Sequence, residues 1–224
     1  LLMPGLDING DFADWGIPTA HLVGYGLQSR GGRFQRGALI TAEIPDTTDL
    51  GGRARHGDPR LKSRRWLDGV SRQLADIARR MHERRFVHGD FKWRNLLVDQ
   101  ADTLHLIDCP SGGFWWPPFL EYRIVKDLAC LDKLAKLHLS RSRRLRFYLD
   151  YARKKSLDAS DKSRIRSVVR FFSGRDEALA SAASLRAAGR NPLSQTRIAL
   201  DDGSLLTLQA WLRILPGKRL TGSG

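Results

Sequence analysis

Cysteine is nearly absent: Cys109 and Cys130 are the only two, and no Cys-x-x-Cys occurs. That count argues against a disulfide framework or a zinc site and favours a reducing, cytoplasmic compartment. Long apolar runs are missing as well. No stretch approaches the roughly 20 residues that span a bilayer, and the oiliest one, "FWWPPFL" at 114–120, carries two prolines. Any membrane contact is therefore expected to be peripheral. The opening residues, "LLMPGLDINGDFADWG", have neither the basic start nor the apolar core of a signal peptide. Acid is in deficit: 24 Asp and Glu against 38 Lys and Arg leave a net charge of +14. Such a balance favours anionic partners, whether nucleic acid, acidic lipid headgroups or phosphorylated sugars, and says little about fold. No helix-turn-helix, zinc-finger or RNA-recognition signature accompanies the charge, so nucleic acid is not the expected partner.

What is present is a 42% apolar chain with six Trp, enough for a real core. Strands are expected near 21–27 and 37–43, joined by a Gly/Arg turn, and residues 45–59, rich in Pro, Gly and Asp, read as a loop. A long helix is expected over roughly 60–84, where Trp66, Leu67, Val70, Leu74, Ile77, Ala78 and Met81 recur at three- and four-residue steps. Two short strands, "NLLV" and "TLHLID", follow around a "DQAD" turn. A second helix is expected over roughly 121–139, and basic helical material after it. The last fifty residues are less basic and Ala/Ser-rich, with a terminal hairpin expected around "DDGS".

Chemistry concentrates in "FVHGDFKWRNLLV", residues 86–98. Asp90 and Asn95 are five residues apart, and Asp108 comes thirteen after Asn95 at the end of an apolar strand. With a hairpin between them, these groups can meet at one mouth. The spacing resembles the protein-kinase catalytic loop, H-R-D-x-x-x-x-N, and the metal-binding aspartate that follows it. Phosphoryl transfer needs positioning and charge neutralisation more than covalent chemistry. Asp90 suits the carboxylate that orients the attacking hydroxyl and takes its proton. Asp108 suits a Mg²⁺ ligand, Asn95 a second, neutral one that also braces the loop, and Lys92 a cation for the transferred phosphoryl group. The plain alternative is turn chemistry, the usual role of Asp or Asn between strands. Asp99 and Asp102 are read that way, His105 as a strand-face residue, and Cys109 as a small buried thiol.

Gly89 replaces the arginine of ordinary protein kinases. "GIPTAHLVGYG", "LITAEIPDTTDL", "VHGDFKWRNLLV", "LHLIDCPSG" and "RIVKDLACLDKLAK" together resemble the Kdo/heptose lipopolysaccharide kinase family over roughly residues 16–155. The resemblance implies an α+β, protein-kinase-like fold with a truncated N-terminal lobe and a mostly helical C-terminal lobe. It implies residues 1–50 as partial N-lobe and hinge, 51–173 as C-lobe, and 174–224 as an extension with no assigned role. It also implies ATP with Mg²⁺, a lipopolysaccharide core glycolipid as acceptor, and peripheral work at the anionic inner membrane. Glu43 and Ile44 would contact adenine through the hinge backbone. His88 and Asp127 would support the catalytic loop, Asp127 having the alternative reading of a solvent-facing helix charge. Arg141, Arg143, Arg144, Arg146, Arg153, Lys154 and Lys155 would face phosphorylated glycolipid or anionic lipid, or else form a solvated helix face.

The chain shows no G-x-G-x-x-G in "MPGLDING" and no lysine before Lys62. A complete kinase places a glycine-rich loop and a strand lysine over the phosphates. The expectation is either a fragment of a longer kinase or a short form. Two other functions stay open on sequence: a kinase for another small molecule or for protein, and a pseudokinase-like binding module.

Overall fold

The computed structural model describes residues 8–30, 33–109, 111–172, 195–199 and 205–212. They fall into two units, residues 1–20 with 44–189, and residues 21–43 with 190–224. The second unit is a four-stranded antiparallel sheet. Strand β1, Leu22–Arg30, and β2, Arg33–Ala42, form the hairpin expected from the Gly/Arg turn. The far side of β2 is taken by a strand from the other end of the chain, Leu205–Leu212, which itself pairs with Gln195–Ala199. The sheet thus sets the hairpin of Leu22–Ala42 beside the pair at 195–212, from the far side of the sequence. The turn of the expected "DDGS" hairpin lies outside the described residues.

The first unit begins with α1, Ile8–Asp14, whose Phe12 is buried edge-on against Phe86 at 5.6 Å. Strand β3, Thr48–Asp49, and helix α2, Leu50–Arg55, then occupy the segment read as a loop. Glycine and proline content concealed a capped helix here. The Asp49 carboxylate accepts from the Gly52 N–H at 2.6 Å, satisfying one of the free donors of a first helical turn. Gly52 is small because a Cβ there would stand 2.7 Å from that same carboxylate. Arg53 is buried and anchored by Asp58 at 2.7 Å and the Val98 carbonyl at 3.2 Å.

Helix α3, Arg64–Glu83, starts four residues later than its apolar stripe suggested. Pro59–Lys62 form a 3-10 turn instead, and Ser63 caps α3 by accepting from the Trp66 N–H at 3.4 Å. The stripe itself is where the periodicity put it, with Val70, Leu74, Ile77, Ala78 and Met81 all buried. Strand β4, Phe86–Val87, leaves α3 and leads into the loop that ends at β5. Strands β5, Leu96–Val98, and β6, Leu104–Leu106, pair antiparallel, with β3 on the outer side of β5. Strand β7, Gly113–Phe114, returns to pair with β4. Helix α4, Phe119–His138, packs Ile124, Leu128 and Leu131 into the same core. Each such side chain removed from water contributes about 1.5–3 kcal/mol.

Helices α5, Arg141–Ala152, and α6, Ala159–Arg170, complete the unit; strands β8 and β9 are those at 195–199 and 205–212. Ser140 caps α5, and Asp158 with Asp161 form a reciprocal capping box on α6. An apolar cavity of about 570 Å³ opens among α3, α4, α5 and α6, lined by Val70, Leu74, Leu131, Leu145, Ile165 and Val168. Among the described residues no helix is long and apolar enough to cross a membrane.

Candidate active site

The loop between β4 and β5 is built on buried anchors. His88 is fully buried and uses all its polar atoms. Its backbone N–H donates to Asp127 Oδ2 at 2.8 Å, its Nε2 faces the Ile107 carbonyl at 3.3 Å, and its Nδ1 accepts from the Asp90 N–H at 3.4 Å. A neutral ring with the proton on Nε2 satisfies both ring contacts. Burial, more than the nearby carboxylates can offset, holds this imidazole below its ordinary pKa of 6.5. Phe91 stacks on the ring at 5.5 Å.

Asp127, on α4, is completely buried. Its other oxygen accepts from the Gly89 N–H at 3.0 Å. His82, on α3, places Nε2 3.5 Å from Asp127 Oδ2 and shares a hydrogen bond with the Tyr151 hydroxyl, on α5, at 2.9 Å. Three helices and the loop therefore meet at one carboxylate.

Asp90 follows with its side chain half-buried between two cations. Lys92 pairs with Oδ1, and Arg94 Nη2 donates to Oδ2 at 3.0 Å. Burial alone pushes the Asp90 carboxyl up, but Lys92 and Arg94 together bring it below the ordinary 3.8. Asn95 is buried, and its Nδ2 donates to the Asp90 carbonyl at 2.9 Å. The 3-10 turn Trp93–Asn95 makes this closure possible, with Trp93 pinned to the Leu131 carbonyl at 3.1 Å.

Asp108 arrives from the other strand. The Ile107 N–H donates to the Asn95 carbonyl at 3.0 Å, which ties the end of β6 to the loop. Asp108 itself has φ of +59°, a left-handed backbone that costs a non-glycine residue roughly 1–2 kcal/mol. Among the described residues its carboxylate has no hydrogen bond or ion pair. Burial first, with the Asp90 charge adding to it, raises its pKa above 3.8 despite opposing His88, Arg94 and Lys92. A strained, desolvated, unmatched carboxylate, on a segment whose backbone is bonded to Asn95, suits a hard cation. The Asn95 nitrogen is committed to Asp90, so its Oδ1 is the atom left for a ligand. Among the described residues no group of three or more His, Cys, Asp or Glu forms a metal cluster. Asp108 and Asn95 are the two groups that could hold a cation here.

His88, Asp90, Lys92, Asn95, Asp108 and Asp127 are thus gathered by direct contacts or shared strands. Glu43 and Ile44 are not in this group: they stand at the join of the two units, where Thr47 Oγ1 donates to the Ile44 carbonyl at 2.9 Å. Arg94, Ser111 and His82 were not singled out in the sequence. Arg94 lies four residues after Asp90, a spacing that hints at contact. Ser111 had no such signal, yet its carbonyl oxygen packs against Gly89. Asp99 accepts from the Ala101 and Thr103 N–H groups, as a turn residue does. Cys109 donates to the His88 carbonyl at 3.6 Å, and burial keeps its thiol well above 9, unreactive at neutral pH.

A family model described as the lipopolysaccharide kinase (Kdo/WaaP) family matches residues 10–151. No curated protein matches the chain. Among solved structures, one described as "WaaP in complex with acyl carrier protein" is similar at a TM-score of 0.53 and 25% identity, covering 79% of this chain and 72% of that one.

Proposed function

Because the chain belongs to the lipopolysaccharide kinase (Kdo/WaaP) family and shares its protein-kinase-like fold, we propose that it transfers the γ-phosphate of ATP to a sugar hydroxyl of the lipopolysaccharide inner core. The observation that carries this reading is a loop bearing Asp90 and Asn95, its backbone clamped by Asp127 and tied through Ile107 to the segment that bears Asp108.

The residues divide the work. Asp90 orients the acceptor hydroxyl and takes its proton. Its depressed pKa makes it a weak base, which suits a loose transition state in which the proton moves late. Asn95 and Asp108 are the ligands for Mg²⁺, which supplies charge neutralisation at the phosphate oxygens when bound. Lys92, paired with Asp90, is assigned to the transferred phosphoryl group. Glu43 and Ile44 are assigned to adenine through their backbone. The acceptor is a glycolipid, so the chain is assigned to the cytoplasmic side of the inner membrane as a peripheral protein.

The test is transfer of labelled γ-phosphate to a purified core glycolipid and to the delipidated core oligosaccharide. Asp90→Asn and Asp108→Asn are each expected to lower transfer by about 10²–10⁴-fold. Full activity in either variant would remove that residue from its role. Transfer to a protein or to an unrelated small molecule in place of the core would move the acceptor class and keep the chemistry.

A further inference from the structure

We propose that residues 114–122, with Arg84, Arg85 and Arg123, are the surface by which the chain lies on an anionic bilayer, and that this seat holds Asp90 near headgroup level. The proposal rests on the glycolipid reading above and names the surface that reading leaves open.

Four large aromatics within these nine residues face outward: Phe114 is 54% exposed, Trp116 65%, Phe119 65% and Tyr122 52%. One exposed ring needs no explanation; a run of them marks an interaction surface. Arginines cover the neighbouring tryptophans. Arg85 lies 5.0 Å from the Trp116 ring centre, Arg123 3.9 Å from Trp115, and Arg84 5.4 Å from Trp15. No Asp or Glu occurs from 109 to 120. The first acid, Glu121, is matched by Arg164 through two hydrogen bonds of 2.6 and 2.8 Å. Aromatic rings that enter the interface, carrying cations that meet phosphate, are the chemistry of an anionic membrane surface.

The basic helices are the rival face. Much of their charge is already matched: Arg144 binds Asp132 at 2.7 and 3.0 Å, Arg143 binds Asp68 at 3.4 Å, and Lys154 binds Asp158 and Asp161 at 2.7 and 2.8 Å. They also present no comparable run of exposed rings.

The aromatic surface is wired to the active site. Phe114 is the register partner of Phe86, and the Trp115 N–H donates to the Arg85 carbonyl at 2.9 Å. Asp90 is four residues beyond Phe86, at most about 14 Å of fully extended chain. Rings seated at the headgroups thus keep the catalytic carboxylate within reach of sugars attached just outside them.

The experiment is co-sedimentation of the intact chain, without nucleotide, with phosphatidylethanolamine–phosphatidylglycerol vesicles and with phosphatidylcholine vesicles. Binding is expected to the anionic vesicles. The double variant Trp116→Ser/Phe119→Ser is expected to lose at least about tenfold in partitioning, with its melting temperature unchanged because both side chains are exposed. Arg141→Gln/Arg146→Gln on α5 is expected to bind like wild type. The ring variant should also phosphorylate delipidated oligosaccharide normally and lose activity only on vesicle-borne glycolipid. Undiminished binding by the ring variant, or loss confined to the α5 variant, overturns the proposal. So does a change in oligomeric state by light scattering with vesicle binding intact, which would make this face a contact between copies. Absence of phosphate transfer by the wild type to either acceptor would sink the kinase reading instead and leave the vesicle result standing.

Discussion

Gly89 occupies a position where a side chain has no room. Its φ is +79°, and a Cβ there would stand 2.6 Å from the Ser111 carbonyl oxygen. The arginine that ordinary kinases carry here is sterically excluded, whatever its merits electrostatically. Gly89→Ala pays backbone strain of roughly 1–2 kcal/mol and must also displace backbone at Ser111 or move the loop. The expected outcome is a modestly lowered melting temperature and a single-turnover transfer rate down by about 100-fold, since a loop shift near 1 Å misplaces Asp90. A rate unchanged from wild type would show that the close approach has no bearing on catalysis. Gly89 also shows what was legible at this scale. Asp90, Asn95 and Asp108 could be read as a group because covalent spacing along one loop and one hairpin brings them together. The reason for the glycine could not be read, because Ser111 reaches it only through the pairing of β4 with β7, twenty-eight residues apart at Phe86 and Phe114.

Helices behave as levers on this loop. Asp127 was read as a bracing residue only by resemblance, and its helical period alone did not separate that from a solvent-facing charge. The structure places it fully buried, with both oxygens accepting backbone N–H groups of the loop. Asp127→Asn keeps the shape but leaves one acceptor for two donors and removes the charge from both hydrogen bonds. Loss of a charge-assisted bond plus an unsatisfied buried N–H costs about 2–4 kcal/mol, or roughly 4–16 °C in melting temperature for a chain of this size. Differential scanning calorimetry checks it; a shift under a degree or two would mean that the loop holds itself without α4. Elements with a strong apolar period, α3 and α4 above all, were legible in the sequence. Helix α2 was not, because its glycines resemble a loop until the Asp49 cap and the close contact to Gly52 are seen together. Strand β9 was expected as half of the terminal hairpin, but not as the neighbour of β2. Its alternation suggests a strand, but nothing local names β2, more than 160 residues away, as its partner.

At the scale of the whole molecule the open question is ligand-linked stability. On the proposed division of roles Asp90 serves the acceptor hydroxyl, while Asn95 and Asp108 serve a cation at the nucleotide phosphates. On that assignment, part of the nucleotide affinity would run through the cation that Asp108 and Asn95 would hold. A ligand at about ten times its Kd stabilises a fold by roughly 1.4 kcal/mol, which is about 3–6 °C here. Millimolar ATP with Mg²⁺ is therefore expected to raise the melting temperature by that amount, and ATP without the metal by clearly less. Asp108→Asn is expected to erase the difference between the two conditions. Asp90→Asn is expected to preserve it, because Asp90 is matched by Lys92 and Arg94 and is assigned to the hydroxyl, not to the metal. That contrast separates three outcomes by one melting series. A metal-dependent shift lost only in Asp108→Asn supports the division of roles. A shift lost in both variants places Asp90 among the metal's ligands. No shift at all, in any variant, makes the chain a binding module whose carboxylates do not serve phosphoryl transfer, whatever its family.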